Sequence, residues 1–365
     1  MANIFITGGA GFLGWKLVKN LLNETDSKLY LLVRQNSRKN VRERIEELIN
    51  KSYSRKKIKK IRSRIEVVKG DITEKNFGMK KTQIGNLSKK IGIIYHCAAL
   101  CQFNVPMSII RKINVGGTRN VLDFALKCKA NGKFKSFHHI STVAIMGDAG
   151  GVLCENSLDI GQRFNNTYER TKFEAEKLIN KYRKKGLKVS IYRPSVIVGD
   201  SITGEASDFQ LFYRPLHIFS MEILEEIPAS KNLKYNLVPV NYVARVIYLI
   251  SSNEKNDNGN YHLTNPHNIT LNAFLNIASS YFGFKKPNIT LGNKFNFKKL
   301  KGFRRKVIEP YLPYFNHKKI AFGMANFNRA IKSTGFVWPA IDRKLLFRLF
   351  KYCVDVKYIN KKIKL

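Results

Sequence analysis

Asn3-Ile4-Phe5-Ile6-Thr7-Gly8-Gly9-Ala10-Gly11-Phe12-Leu13-Gly14 decides the fold. The run at 3–6 reads as a buried strand. The glycines that follow read as a tight turn, and Leu17, Val18, Leu21 and Leu22 then share one face of a helix. In this strand-turn-helix context the glycine spacing has a physical meaning. Gly8 permits the turn, Gly11 lets a pyrophosphate approach the backbone, Gly14 lets helix and strand pack closely, and the helix N-terminus faces the phosphates. Thr7, Gly8, Gly11, Phe12, Leu13 and Gly14 are therefore candidate contacts to a dinucleotide.

Working outward, short apolar runs at 3–7, 28–34, 64–69, 92–97, 134–141 and 187–193 alternate with helical patterns. This alternation predicts an α/β chain with a doubly wound parallel sheet, a Rossmann domain. Between the second and third runs, residues 37–64 read as one exposed amphipathic helix. After Gly199 the rhythm breaks, returning at 235–264, where Leu237-Val238-Pro239-Val240 precedes a helical run and Tyr261-His262-Leu263-Thr264 resembles a strand. We expect residues 1–200 and 235–264 to form the Rossmann domain. Residues 201–234 and 265–365 are expected to form a smaller, mixed cap over the substrate. A last helix at 343–359 places Leu345, Leu346, Leu349, Phe350 and Cys353 at core spacing, suited to docking or to a homodimer contact.

The end of the second strand discriminates between nicotinamide cofactors. A carboxylate there suits the ribose 2′-hydroxyl, whereas this chain carries Arg34, and a cation suits a 2′-phosphate. Arg38, Arg42 and Arg44 follow closely, and Arg44 is the chosen companion, so NADPH is expected over NADH. After the third strand, Gly70-Asp71-Ile72 supplies a carboxylate that either accepts from the adenine amino group or caps a turn.

Five pairs repeat the pattern Tyr-x-x-x-Lys: Tyr53/Lys57, Tyr168/Lys172, Tyr281/Lys285, Tyr314/Lys318 and Tyr358/Lys362. The spacing puts both side chains on one helical face. Only Tyr168/Lys172 follows the apparent fifth strand and opens a long amphipathic helix, 167–185, inside the Rossmann half. A carbonyl that receives a hydride becomes an oxyanion and needs an acid beside it. A Tyr near pKa 10 is poor at this unless an ammonium lowers its pKa. A second hydroxyl belongs at a strand end, where Ser141-Thr142 stand; Thr142 is preferred and Ser141 is the reserve.

With these motifs in order, the chain resembles the extended short-chain dehydrogenases/reductases, in particular their thioester-reductase and fatty-acyl-reductase branch, which includes male-sterility-type proteins. The resemblance covers about the first 265 residues. It rests also on Tyr95-His96-Cys97-Ala98-Ala99, Asn114-Val115-Gly116-Gly117-Thr118, Arg193-Pro194-Ser195-Val196-Ile197-Val198-Gly199 and Leu237-Val238-Pro239-Val240-Asn241-Tyr242-Val243-Ala244. It implies a triad of Thr142, Tyr168 and Lys172, with Asn114 as helper in a proton relay on the Lys side. It further implies dinucleotide contacts from Ile72, Ala98, Ala99 and Lys172, with Pro194, Ser195 and Val196 lining the nicotinamide. Cys97 departs from the Asn common at its position. The implied reaction is transfer of hydride from NADPH to an acyl thioester on an acyl carrier protein or CoA, giving an aldehyde or, after a second hydride, an alcohol. Rival readings are another extended reductase of hydroxysteroid or nucleotide-sugar type, and a non-catalytic NADP-binding sensor.

Composition bounds the partners. With 65 Lys and Arg against 26 Asp and Glu, the 365-residue chain has a formal charge of +39 and attracts anions. Half of that weight belongs to a Lys-rich composition spread along the whole chain; the rest favours acidic carriers, phosphorylated cofactors or anionic membrane surfaces. No nucleic-acid-binding signature or metal-ligand spacing accompanies it, so neither nucleic acid nor metal is expected. Residues 294–319 interleave Phe, Leu and Tyr with Lys and Arg, a pattern for ordinary cap packing, an acyl tunnel or peripheral membrane contact. Five cysteines without a CxxC pair, and no leader or spanning segment in the sequence, suggest reduced structural thiols in a cytoplasmic protein.

Overall fold

The computed structural model describes residues 2–35, 40–207, 209, 212–291, 294–295, 301–315 and 320–361. Arg38, Lys318, Lys362 and residues 296–300 and 316–319 of the basic-aromatic stretch lie outside them.

Seven strands form one parallel sheet: β1 (Asn3–Thr7), β2 (Leu29–Val33), β3 (Ile65–Lys69), β4 (Ile91–His96), β5 (Ser136–Ile140), β6 (Val189–Pro194) and β7 (Asn260–Leu263). Their order is β7-β6-β5-β4-β1-β2-β3. All six expected strands are present within two residues of their predicted ends, and the strand-like run at 261–264 becomes the edge strand β7. They were legible because both sheet faces are covered, so β2, β5 and β6 are buried along their whole length. Chain order reverses between β1 and β4, so a crevice opens at the carboxyl ends of these two strands.

On one face lie α1 (Phe12–Glu24) and α2 (Val41–Ser52), the latter followed by α3 (Arg55–Ser63). On the other face lie α4 (Gly117–Ala130) and α5 (Thr167–Arg183). The single helix expected over 37–64 is in fact two. Tyr53 is extended (φ −132°, ψ 147°), and Ser52 is held by the Trp15 indole, which donates to its hydroxyl at 2.9 Å. Asn40 starts α2 with a capping box closed by Glu43, a signal present in the sequence as Asn-x-x-Glu.

The cap has its own apolar core, built from α6 (Tyr213–Ser220), α8 (Leu271–Phe282) and α10 (Arg343–Asp355). Between these in sequence, α7 (Val240–Ser251) packs along α1 and α9 (Ala325–Ile331) packs on β7 and α7. The last helix docks within its own chain: Asp342 caps it, accepting from the Leu345 amide at 2.7 Å, and its five apolar residues fill the cap core. One part of the stretch assigned to the cap packs elsewhere. Phe327, Ala330 and Trp338 are buried in the Rossmann core, because the Glu155 carboxylate takes the amides of His262, Asn326 and Phe327 together. No helix among the described residues is long and apolar enough to cross a membrane.

Four histidines on the strands are buried and neutral. Burial lowers His96 and His138 to about 3 and His262, beside Arg193, to about 4. His139 is held well below 6.5 by burial and then by Lys172. Between pH 6.5 and these values the unfolded chain binds protons that the folded chain refuses, so their stabilising effect is complete above pH 6.5 and is lost as pH falls. Asp257, raised to about 6 by burial, works in the opposite sense. The expected outcome is a midpoint of thermal unfolding that drops continuously from pH 6.5 to pH 4, each histidine contributing up to about 1.4 kcal/mol per pH unit; a flat profile by calorimetry contradicts neutral burial.

Candidate active site

The turn after β1 is built for close approach. Gly8 has φ +71°, and a Cβ there would stand 2.6 Å from the Ala98 amide nitrogen at the end of β4. A Cβ on Gly14 would overlap the Gly8 carbonyl oxygen, so α1 starts hard against the turn. Gly11 is exposed, and the N-terminus of α1 has neither a side-chain cap nor an acidic residue in its first turn. Its free amides and positive dipole end suit an anion. Thr7 is fully buried, and its hydroxyl lies 2.6 Å from His96 Nδ1, tying β1 to β4 rather than facing the crevice.

At the end of β2, Arg34 is exposed and its Nε lies 4.0 Å from Asp71. Arg44 reaches back from α2 and donates to the Arg34 carbonyl at 3.0 Å, which brings its guanidinium to the end of β2. Asp71 caps its turn, accepting from the Thr73 amide at 2.8 Å. Ile72 packs against Gly117, where a Cβ would come within 2.6 Å of Ile72 Cδ1.

The second cluster sits where β5 meets α5. Tyr168 is buried, and its phenol faces Thr142 and Cys101. Thr142 accepts from the Ala144 amide at 3.2 Å. Lys172 is 3% exposed and donates to the Ile140 carbonyl at 2.7 Å. The lowering of the Tyr168 pKa by Lys172 is not what this geometry gives. Burial, followed by Cys101, pushes the phenol well above 10, with Thr142 opposing, while the Lys172 ammonium is turned into β5 and its own pKa is lowered by burial.

Ser141 is turned away from this cluster. Its hydroxyl donates to Glu176, which pairs with Arg193 in the interior. Asn114, in a single π-helical turn (Lys112–Gly116), is also committed: its side chain accepts from the Leu100 amide at 2.8 Å and donates to the Leu100 carbonyl at 3.0 Å and to Thr171 at 3.1 Å. It therefore fixes the 98–105 loop against α5. Ala98 and Ala99 open that loop. Pro194 ends β6, Ser195 donates to Asn236, and Val196 begins a short strand paired with Leu237–Pro239.

Several residues at this site escaped the sequence reading. Cys101, taken for a structural thiol, faces the Tyr168 phenol; none of the five cysteines forms a disulfide. Phe103 lies 6.2 Å from the Tyr168 ring and stacks at 5.5 Å on Tyr314, whose own Tyr/Lys pair was set aside. Tyr314 accepts from Asn166 at 2.6 Å and donates to the buried Glu169, so the cap reaches down onto the first turn of α5. Residues 101–105, together with Arg214, Pro310 and Tyr311, line an open cavity of about 270 Å³. Only aromatic spacing in the 294–319 stretch hinted at this lid. No group of three or more His, Cys, Asp or Glu among the described residues is placed to hold a metal ion.

Residues 6–247 match the family described as "Male sterility protein". The chain is 32% identical over 279 residues to the L-2-aminoadipate reductase large subunit of Eremothecium gossypii, covering 71% of this chain and 19% of that protein. It is 29% identical over 297 residues to one of the linear gramicidin synthase proteins of Brevibacillus parabrevis, covering 78% of this chain and 6% of that one. The chain thus spans less than a fifth of either relative. Among solved structures, the terminal R domain of the myxalamid PKS-NRPS pathway superposes with a TM-score of 0.83 at 24% identity, covering 100% of this chain and 93% of that one. A thiolation-reductase di-domain of an archaeal non-ribosomal peptide synthetase gives 0.80 at 21%, covering 98% and 76%. The chain belongs to the male sterility protein family, in the thioester-reductase branch of the extended short-chain dehydrogenases/reductases.

Proposed function

We propose that the chain is an NADPH-dependent reductase of acyl thioesters presented on an acidic acyl carrier protein or on CoA. The observation that carries this reading is the buried Tyr168 phenol facing Thr142, with Lys172 one turn further along α5 and with Phe103, which lines the cavity at 101–105, lying 6.2 Å from the Tyr168 ring. The glycine cradle supports a dinucleotide, since side chains at positions 8 and 14 would fill the space against Ala98 and the turn. The exposed Arg34 and the Arg44 guanidinium on the Arg34 carbonyl support a 2′-phosphate at the end of β2. The relationship to aminoadipate reductase and to a thiolation-reductase di-domain supports a thioester on a carrier, and the charge of +39 suits an acidic partner.

In this reading the cofactor, when bound, supplies a hydride. Thr142 and Tyr168 receive the substrate carbonyl oxygen and stabilise the negative charge that grows on it. Because burial keeps the Tyr168 phenol protonated, it is present as a donor throughout the neutral range. Lys172, held at Ile140, would hold the nicotinamide ribose of the bound cofactor. Collapse of the tetrahedral adduct expels the thiol and leaves an aldehyde; a second round gives the alcohol.

Two measurements test the reading. NADPH consumption against a panel of acyl-CoA and acyl-carrier thioesters is expected to show turnover with aldehyde or alcohol as product. Tyr168→Phe is expected to lower kcat about 10²–10³-fold with dinucleotide affinity retained. Turnover of sterols or nucleotide sugars without any thioester turnover would move the chain to another extended reductase class, and no turnover at all would favour a sensor. Secondly, Arg34→Ser is expected to raise the KM for NADPH at least about tenfold, the loss of one charge-assisted contact, while leaving that for NADH unchanged; an equal effect on both cofactors removes Arg34 from 2′-phosphate recognition.

A further inference from the structure

The Lys172 ammonium carries three N–H groups and no acceptor. One N–H goes to the Ile140 carbonyl at 2.7 Å, and the nitrogen lies 3.3 Å from His139 Nε2. With a donor opposite it, His139 Nε2 must be the accepting nitrogen, which places the ring proton on Nδ1. That Nδ1 is buried and has no hydrogen-bond partner among the described residues, in a side chain 1% exposed. An unmet buried donor costs free energy, and a β-branched residue would occupy this strand without that cost.

The neighbouring His96, with its ring 5.3 Å away, shows the contrast. The Thr118 hydroxyl is spent on the Asn114 carbonyl at 2.6 Å, so His96 Nε2 donates to Thr118 and Nδ1 accepts from Thr7. His96 is satisfied on both sides by strand and helix partners. His139 is satisfied on one side only, and that side is Lys172.

We infer that His139 is a positioning residue for Lys172, anchoring a second N–H of the ammonium at the end of β5 so that the third is left for the crevice. The inference rests on the reading of Lys172 as the active-site lysine. The titratable groups whose charge acts on Lys172 or on which it acts are Cys97, Cys101, Glu176, His96 and His139; those acting on His139 are Lys172, His96 and Arg183. Burial and the nearby cations keep His139 neutral, and therefore an acceptor, throughout the working range. Glu176 and the two thiols oppose the burial that lowers Lys172.

The test begins with the unaltered protein. Nitrogen-15 NMR of histidine-labelled, dinucleotide-free protein between pH 6 and 9 is expected to show His139 neutral with its proton on Nδ1; a proton on Nε2 overturns the proposal. In lysine-labelled protein, with the Lys172 signal assigned by its loss in Lys172→Gln, His139→Val is expected to lower the Lys172 pKa by about one unit. His139→Gln, whose carbonyl accepts, should leave it within a few tenths. Equal Lys172 titrations in all three proteins overturn the proposal. In turnover, the alkaline limb of kcat/KM should move down by the same amount in His139→Val and stay in place in His139→Gln. If no thioester is turned over, the proposed function fails while the two NMR measurements still decide the role of His139. If His139→Val does not fold, the ring tautomer of the unaltered protein decides it alone.

Discussion

The buried pair between Arg193 on β6 and Glu176 on α5 is the constraint on which the rest of the structure depends. Both side chains are at most 1% exposed, and the guanidinium donates to both carboxylate oxygens at 2.7–3.2 Å. Removing either partner would leave a lone charge in the interior, a loss of about 3–5 kcal/mol. The pair recruits neighbours that meet its remaining valences. Ser141 donates to Glu176, Arg193 donates to the Glu155 carbonyl at 2.8 Å, and His262 faces Arg193 with Nε2 while Nδ1 bonds the Gly323 carbonyl at 2.9 Å. Strands β5, β6 and β7, helix α5 and the chain at 323–327 thus meet at one polar knot.

That knot sets the position of α5, and α5 carries the site. Glu176 lies one turn beyond Lys172 and two beyond Tyr168, so anchoring it fixes both side chains at the end of β5. At the other end of the helix, Asn166 caps the first turn through the Glu169 amide at 3.0 Å. Glu169 in turn receives the Tyr314 hydroxyl from the cap. The Rossmann half and the C-terminal region are therefore joined through the helix that holds Tyr168, and Tyr314, stacked on Phe103, is anchored to the same element.

Much of the fold was legible in the sequence. Strands buried on both faces leave continuous apolar runs, and glycines that no side chain can replace leave a spacing, so β1–β6 and the turn at 8–14 could be placed from local pattern alone. The break at Tyr53 was not, because it depends on Trp15 reaching Ser52 from another helix. Of the candidate site, the position of Tyr168 and Lys172 on a helix that follows the fifth strand was legible, and it sets them apart from the other four Tyr/Lys pairs. Cys101 and Tyr314 could not, since their importance lies in which phenol or ring they face. Ser141 and Thr142 are adjacent in sequence and alike in chemistry, yet alternation along the extended chain sends one to Glu176 and the other to Tyr168.

The sequence by itself determined the doubly wound sheet, the glycine cradle and the spacing that puts Tyr168 and Lys172 on one helical face, because each is written in periodicities of a few residues. Tertiary structure alone decided the protonation environment. Burial, not a neighbouring ammonium, governs Tyr168, and the direction of Lys172 is set by Ile140 and His139 more than thirty positions away in the chain. Desolvation and charge act through space, over distances that the order of residues along a chain does not encode.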